Sequence, residues 1–412
     1  FLAVFSYGRG IAGRQVTGQP LPDHGKREYD LDFHGGNYAT VHPQYYKDTV
    51  LKPEVTRAPD HGKLDILAAV LPAAKKRGIR TFLWTIDKAP PASVPNIAKL
   101  QERQLDGRNS SELCFNNPHH CNFLLGLMED YTRSYEIDGI MWASERRGPL
   151  IHTLDSGDAG RATCFCGHCE RKAERLGIRF DRVRAGYAEL GRLLREARTG
   201  RRPIDGHYVS FWRTLLRYPE IVAWETFWND SLRETYAAIY GKVKSIKPDL
   251  PVGWHIAHSM SFSPIYRAEQ DVPELAKYSD FLKMVMYHNC AGERLARYVD
   301  HQTSAAFADF PKEQFLEFEY RVMNYQERSY EQIPYTGLSA DYVYRETKRC
   351  IDGATGTKVQ IWPGIDIDIP TESNHSKSTP QGTKAAVMAA FRAGAPGVVL
   401  SRKYSEIKLA NL

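Results

Sequence analysis

Short apolar segments alternate with helical segments along the chain, and this alternation most constrains the fold. Such a pattern is typical of parallel strands joined by helical crossovers. We predict strands at 1–7, 80–86, 139–144, 252–257, 281–287, 315–320, 359–365 and 397–401, with 37–42 as a ninth candidate. Helical segments at 64–77, 121–134 and 383–393 lie between strands. Eight strands with helical crossovers predict an α/β chain folded as a (β/α)8 TIM barrel.

The spacing of these segments also bears on domain organisation. The chain has 412 residues and no Pro-rich or Gly/Ser-rich linker, so we expect one catalytic domain covering 1–412. Two stretches, 8–60 and 146–248, are too long for ordinary barrel loops. The second carries a cysteine cluster and long helical segments. Excursions after barrel strands lie on the catalytic face, so we expect both to form walls of a site.

Composition excludes several classes of protein. The 55 Lys and Arg are scattered among 49 Asp and Glu, which indicates a solvated surface rather than a nucleic-acid-binding face. No apolar stretch approaches the ~20 residues of a membrane span. The 23 Tyr and 7 Trp favour a carbohydrate partner, because sugar C–H faces pack on aromatic rings. The chain begins inside the apolar run FLAVFSYG, so we expect its natural N-terminus upstream. The compartment stays open, with the periplasm or secretion as our expectation, and so does the oligomeric state.

One carboxylate directly follows a predicted strand. In DGIMWASERRG, Glu145 ends the apolar segment 139–144. Side chains at the carboxyl ends of barrel strands point into the mouth. Glycosidic cleavage needs one carboxyl group as general acid and a second as nucleophile or base, and we predict Glu145 for the first role. The alternative is a surface ion pair with the adjacent Arg146 or Arg147.

Two later segments offer the second carboxylate. In FLEFEYRV, Glu317 and Glu319 alternate with apolar residues, and Glu319 lies nearer the expected mouth. We predict Glu319 as the second catalytic residue, with a pair of acids held by Arg or Lys as the alternative. In IWPGIDIDIP, Asp366 follows its strand closely and competes for the same role. It also suits a simple turn, because Asp is common in turns near Pro.

Other polar and aromatic residues cluster at predicted strand ends and suggest a sugar-binding mouth. The candidate substrate-binding residues are Trp84, Asp87, Arg146, His255, His258, Tyr287, His288, Glu317, Lys403 and Tyr404. His, Asp and Glu at barrel strand ends also form divalent-metal sites. A metal-dependent sugar isomerase or lyase, using His255, His288, Glu317 and Asp366, is therefore a rival hypothesis. A barrel that binds sugar without catalysis is a third.

Three cysteines stand close together in Cys164-Phe-Cys166-Gly-His-Cys169. With one more ligand, they fit a closed, tetrahedral structural zinc site. Cys121 or Cys114 is the expected fourth ligand, with His168 as a further candidate. Three reduced thiols without metal are the alternative. The seven cysteines do not describe a disulfide scaffold, and we expect no organic cofactor.

The strand-end Glu and the downstream cysteines together resemble the family 42 β-galactosidases and related barrel glycosidases. The resemblance implies an acid/base role for Glu145 and zinc binding by Cys164, Cys166, Cys169 and an earlier cysteine. It also implies a nucleophile on a later strand, for which Glu319 is the positional match. Ser144 stands where the family has Asn, so the resemblance bears on reaction class rather than on the sugar. An oligosaccharide, polysaccharide or other glycoside is the expected substrate.

Overall fold

The computed structural model describes residues 1–8, 23–25, 31–87, 90–370, 376–401 and 407–412. These residues form a mixed α/β structure around one large, mostly parallel sheet. No helix in this part of the chain combines the length and apolar character needed to cross a lipid bilayer.

Eight strands form the main sheet, in the order β10-β9-β8-β7-β6-β3-β1-β2. Neighbouring strands are parallel except for β1 and β2, and β4 and β5 form a separate antiparallel hairpin. The strands are β1 (Leu2–Ser6), β2 (Gly36–Asn37), β3 (Phe82–Ile86), β4 (Gln101–Arg103), β5 (Asn109–Leu113), β6 (Gly139–Ala143), β7 (Val252–Ile256), β8 (Phe281–Val285), β9 (Gln360–Asp366) and β10 (Val399–Ser401).

Helices follow most of the parallel strands, as the alternating sequence pattern predicts. The α-helices of the described residues are α1 (Ile66–Lys76), α2 (Pro118–Ser134), α3 (Pro149–Ser156), α4 (Gly167–Arg175), α5 (Phe180–Arg198), α6 (His207–Arg217), α7 (Glu220–Ile246), α8 (Pro264–Glu269), α9 (Val272–Leu275), α10 (His288–Thr303), α11 (Lys312–Met323), α12 (Ile333–Thr336), α13 (Ala340–Gly353) and α14 (Pro380–Arg392). Helices α3 to α7 fill the long excursion between β6 and β7, and pack around a second hydrophobic cluster that includes Tyr187 and Trp224.

The sheet curls strongly. The ring of Phe1, just before β1, lies 6.2 Å from the ring of Trp362 in β9. These strands are five positions apart in the sheet order, which in a flat sheet would separate them by about 24 Å. Among the described residues β1 and β10 form no ladder, so the sheet is a curled half-barrel.

Aromatic side chains fill the inner face of the sheet near the amino ends of its strands. We call Phe1, Phe82, Phe281 and Trp362 the aromatic floor. Phe281 and Trp362 stack with ring centroids 4.1 Å apart and planes 15° apart. This packing fills the inside of the sheet below its carboxyl edge.

The outer face of the sheet packs against helices. Trp142 of β6 and Trp254 of β7 are fully buried there. Tyr236 of α7 stacks on Trp254 with ring centroids 4.4 Å apart. Strands β6, β7 and β8 are buried along their whole length, as expected of a parallel sheet covered on both faces.

The strand prediction at 315–320 is wrong, because this segment lies within helix α11. Its buried residues are Phe315, Leu316, Glu319 and Met323. The last three follow Phe315 by one, four and eight positions, which places all four on one face of a helix. The other seven predicted strands overlap β1, β3, β6, β7, β8, β9 and β10. The ninth candidate, 37–42, overlaps β2 at Asn37 alone.

Replacing Trp254 tests the packing between sheet and helices. Trp254→Ala should lower the free energy of unfolding by about 3–5 kcal/mol, because it leaves a cavity beneath α7. Trp212→Ala is the matched control, since Trp212 is 49% exposed and should change stability by no more than about 0.5 kcal/mol. Urea denaturation followed by circular dichroism measures both. Equal effects of the two substitutions would contradict this view of the core.

Candidate active site

A cavity of about 1030 Å³ opens at the carboxyl ends of the parallel strands. Its walls come from strands β1, β3, β6, β7, β8 and β10, from the segments that follow them, and from α3 and α10. The carboxyl edge of a parallel sheet is where barrel enzymes place their active sites. The cavity is therefore the candidate active site.

Glu145 is the carboxylate that the β6 strand end presents to this cavity. Its Oε1 lies 3.0 Å from Nε2 of His255. His255 pairs in register with Lys283 on the neighbouring strand, so both side chains lie on the same inner face. The Lys283 ammonium lies 3.3 Å from His255 Nδ1. A neutral His255 with its proton on Nε2 satisfies both contacts, which makes a chain of polar groups from Lys283 to Glu145.

Lys283 is almost completely buried, although it carries a charged group in an otherwise apolar strand. Its Nζ donates a hydrogen bond to the hydroxyl of Tyr287. Burial lowers the pKa of Lys283 to about 7, with a further contribution from the charge of Arg294, whereas Glu145 acts in the opposite direction. Gly364 leaves room for this side chain, because a Cβ there would lie 2.6 Å from Lys283 Cε.

Arg294, on the first turns of α10, also lines the cavity. Its Nη1 lies 3.0 Å from Nδ1 of His258. Nε2 of His258 lies 3.0 Å from the Tyr342 hydroxyl, which donates to Ser261. Burial and the charge of Arg294 hold the pKa of His258 well below its usual range, so this histidine is neutral. The guanidinium is therefore oriented by a row of neutral groups.

Asp155 of α3 is a second carboxylate on the cavity wall. Arg147 donates to one of its oxygens, and Gln302 of α10 donates to the other at 3.0 Å. Burial raises the pKa of Asp155, and the charge of Arg147 opposes that effect. Among the described residues that line the cavity, Glu145 and Asp155 are the two carboxylates.

Four predicted binding residues of the described chain lie outside the cavity lining, namely Asp87, Arg146, His288 and Glu317. Arg146 is buried and pairs with Asp87 at 3.0 Å and with Glu102 at 2.5 Å. The same guanidinium packs 4.1 Å from the centre of the Phe115 ring. Asp87 and Arg146 thus tie the ends of β3 and β6 to the β4–β5 hairpin. His288, at the start of α10, is also buried outside the lining, and burial lowers its pKa to about 4.

The carboxylates predicted for the second catalytic role lie elsewhere too. Glu319 is buried on α11, and burial raises its pKa to about 8. Glu317, on the same helix, is exposed. Asp366 does end β9, but its oxygens accept the backbone N–H groups of Cys290 at 2.7 Å and Ile369 at 3.1 Å. These contacts give Asp366 a fixed place between β9 and α10.

Of the residues predicted from the sequence, five meet at the cavity: Trp84, Glu145, His255, His258 and Tyr287. Lys403 and Tyr404 lie outside the described residues. Sequence reasoning missed Lys283, Arg294 and Asp155. The position of Lys283 inside the apolar segment FLKMV could have indicated a functional residue, because a charged side chain is unusual in a buried strand. The other two lie on helices, where no strand-end pattern marks them.

Four cysteines form a compact cluster. The sulfur atoms of Cys114, Cys164, Cys166 and Cys169 all lie within 4.8 Å of one another, so the group could hold a metal ion. The earlier cysteine in this cluster is Cys114 rather than Cys121, whose Sγ donates to the Phe115 carbonyl instead. Cys114 directly follows β5, and the hairpin brings it to the start of α4.

Among the described residues, this cysteine cluster is the one group of three or more His, Cys, Asp or Glu side chains arranged to hold a metal ion. His255 and the rival metal ligands His288, Glu317 and Asp366 do not converge. The metal-dependent isomerase or lyase hypothesis therefore has no preformed metal site in this part of the chain.

Comparisons with known proteins give distant structural similarities. No family model and no curated protein matches the sequence. The glycoside hydrolase domain of PgaB (BpsB) from Bordetella bronchiseptica is 11% identical, with a TM-score of 0.45 over 82% of this chain and 74% of that chain. A β-galactosidase from the haloarchaeon Halorubrum lacusprofundi is 14% identical, with a TM-score of 0.49 over 85% of this chain and 48% of that chain.

A β-galactosidase from Marinomonas ef1 is 12% identical, with a TM-score of 0.45 over 84% of this chain and 47% of that chain. The chain thus spans about half the length of these β-galactosidases. The resemblance to β-galactosidases drawn from the sequence is also found among solved structures.

The lowered pKa of Lys283 predicts a pH-dependent contribution to stability. Between pH 7 and about 10.4 the unfolded chain binds this proton and the folded chain does not, so stability rises with pH by at most about 1.4 kcal/mol per unit. Lys283→Met removes this effect. The stability of the wild type relative to Lys283→Met should therefore increase from pH 7 to pH 9.

Urea denaturation of both proteins at pH 7, 8 and 9 measures the difference. Lys76→Met, at the exposed end of α1, controls for the loss of one positive charge. Parallel curves for wild type and Lys283→Met would mean that Lys283 is not desolvated in the folded chain.

Proposed function

We propose that this chain is a glycoside hydrolase whose acid/base residue is Glu145. The observation that carries the proposal is the position of Glu145 at the carboxyl end of β6, facing a large cavity and in contact with His255. A cavity of about 1030 Å³ is roomy enough for a sugar chain. Trp84 on its wall supplies an aromatic surface on which a sugar ring packs. The substrate is an oligosaccharide, a polysaccharide or another glycoside.

The proposal extends to the architecture. We assign the half-barrel to the (β/α)8 class and treat 1–412 as one catalytic domain with a helical excursion at about 146–248. Support comes from the cavity wall, because Leu2 and Ala3 of β1 line the same cavity as Val399 and Leu400 of β10. Strands at opposite ends of the parallel sheet thus border one space.

Asp155 is our choice for the second carboxylate. Double displacement or inversion at a glycosidic bond needs two carboxyl groups that reach the same sugar. Asp155 lines the cavity with Glu145, whereas Glu319 lies on α11 outside it. Both oxygens of Asp366 already accept backbone N–H groups, which supports a structural role.

His255 and Lys283 complete the chemistry around Glu145. Proton transfer to the glycosidic oxygen requires a carboxyl group that gives up and regains its proton during the reaction. His255 holds the Glu145 carboxylate on one side of its ring and Lys283 on the other. This contact helps to orient the Glu145 side chain, which is 42% exposed in the cavity.

Carboxamide variants test the two carboxylates. Glu145→Gln and Asp155→Asn should each lower kcat/KM by about 100-fold or more. Rates are measured on a panel of aryl glycosides and oligosaccharides through released phenol and new reducing ends. Glu145→Gln should retain most activity on glycosides of acidic phenols, which leave without protonation, whereas Asp155→Asn should lose both activities.

Glu319→Gln and Asp366→Asn are the controls. Glu319→Gln should hydrolyse the panel like the wild type. Asp366→Asn should lower stability by about 1–3 kcal/mol, because one backbone N–H loses its acceptor. Full activity in Glu145→Gln would contradict the assignment of Glu145 as the acid/base residue. An inactive but stable Asp366→Asn beside an active Asp155→Asn would transfer the second role to Asp366.

We also propose that the four cysteines bind a structural zinc ion. A tetrahedron with zinc–sulfur bonds of about 2.3 Å has sulfur–sulfur edges of about 3.8 Å. Sγ of Cys114 lies 3.6 Å from that of Cys166 and 3.5 Å from that of Cys169, which fits this size. The Arg103 backbone N–H and the Asn116 side-chain amide each donate to a cluster sulfur at 3.4 Å, as donors around metal-bound thiolates do. Four cysteine ligands leave no open position, so the ion would join the β4–β5 hairpin to α4 without a catalytic role.

Elemental analysis tests the zinc site. Protein purified without chelator should contain about one zinc per chain. Cys114→Ser should lose the metal and melt at a lower temperature, whereas Cys121→Ser should keep it, since Cys121 lies outside the cluster. Metal-free wild-type protein, or equal zinc loss in both variants, would contradict the assignment.

A further inference from the structure

The charged side chains that line the active-site cavity are mostly positive. The described lining contains four cations, Arg147, Lys283, Arg294 and Arg297, against the two carboxylates Glu145 and Asp155. Arg147 is paired with Asp155. Of the other cations, Lys283 Nζ lies 4.5 Å and the Arg294 guanidinium carbon 6.0 Å from the centre of the Tyr287 ring.

The setting of Arg294 differs from that of a structural arginine. No carboxylate of the described chain lies within ion-pair distance of its guanidinium. Its hydrogen-bond partner is the neutral His258, which is held in turn by Tyr342 and Ser261. These groups fix the direction of the guanidinium without neutralising its charge. A positive charge held in this way stays available to a ligand.

Loss of water on binding makes that charge selective. Arg294 is half-buried, so a ligand that fills the cavity displaces the water that still reaches it, and desolvating a cation is costly unless a negative group replaces the water. A neutral sugar leaves Arg294 without that compensation. A sugar with an anionic substituent supplies it and forms charge-assisted hydrogen bonds, to which Arg contributes a fork of two donors.

We propose that Arg294 and Lys283, with Tyr287 between them, form a subsite for an anionic sugar, one that carries a carboxylate or a sulfate ester next to the bond presented to Glu145. The inference rests on the proposed glycoside hydrolase function and narrows its substrate class to acidic glycans. Arg294 acts here as a specificity-determining residue rather than in the bond-breaking step.

Binding measurements test the subsite without requiring hydrolysis. Isothermal titration calorimetry at fixed ionic strength compares glucuronate, galacturonate and glucose 6-sulfate with glucose and galactose. At least one acidic sugar should bind about 10- to 100-fold more tightly than its neutral counterpart. The uronates and the sulfate ester distinguish the two sources of negative charge.

Three variants assign the effect to Arg294. Arg294→Gln should abolish the preference for acidic sugars, and Arg294→Lys should restore part of it through charge alone. Arg321→Gln, on the exposed face of α11, removes the same charge away from the cavity and should bind like the wild type. Thermal melting of each variant checks that the fold is retained.

Several results would overturn the subsite. These are equal affinity for acidic and neutral sugars, absence of saturable binding by any acidic sugar, an unchanged preference in Arg294→Gln, or inorganic sulfate binding as tightly as glucose 6-sulfate. The outcome is separable from that of the proposed function. If acidic sugars bind but no glycoside is hydrolysed, the subsite is supported and the hydrolase function is contradicted. If neutral glycosides are hydrolysed and acidic sugars are not preferred, the hydrolase function is supported and the subsite is contradicted.

Discussion

The packing of the aromatic floor determines where the curled sheet has room for a cavity. Phe82, Phe281 and Trp362 pack edge to face and stack inside the curled sheet near the amino ends of its strands. With that space filled, side chains further along the same strands line a cavity open at the carboxyl edge. Successive side chains of a strand point to opposite faces of the sheet. His255 and Lys283 therefore lie on the inner face, whereas Trp254, next to His255 in β7, faces the helices.

Much of the sheet was predictable from the sequence, because seven of its strands are mostly apolar segments that can be recognised without tertiary information. The segment FLEFEY misled the prediction because its apolar residues satisfy two periods at once. Leu316, Phe318 and Tyr320 alternate as in a strand, whereas Phe315, Leu316 and Glu319 lie on one face of a helix, and only packing against the rest of the fold decides between the two. The expected position of Glu319 at a strand end followed from that error.

The site itself was predictable only where a strand carries it. Glu145, His255 and Tyr287 follow or end apolar runs, so their position at the carboxyl edge follows from the fold class. Asp155 and Arg294 reach the cavity because α3 and α10 pack against each other, as the hydrogen bond from Gln302 to Asp155 records. Such long-range packing leaves no local pattern. Cys114 rather than Cys121 joins the other three cysteines because of how the β4–β5 hairpin folds back, which the sequence does not show.

Two arginines, the buried Arg146 and the half-buried Arg294, differ in how their charge is compensated. Arg146 was expected to bind substrate, but Asp87 and Glu102 neutralise it and Phe115 covers it, so little of its charge is left for a ligand. Arg294 is oriented by a neutral histidine instead. A fold that needed only packing could hold Arg294 as it holds Arg146. Because a poorly solvated cation without a carboxylate partner costs stability, the setting of Arg294 supports the anionic-sugar subsite proposed above.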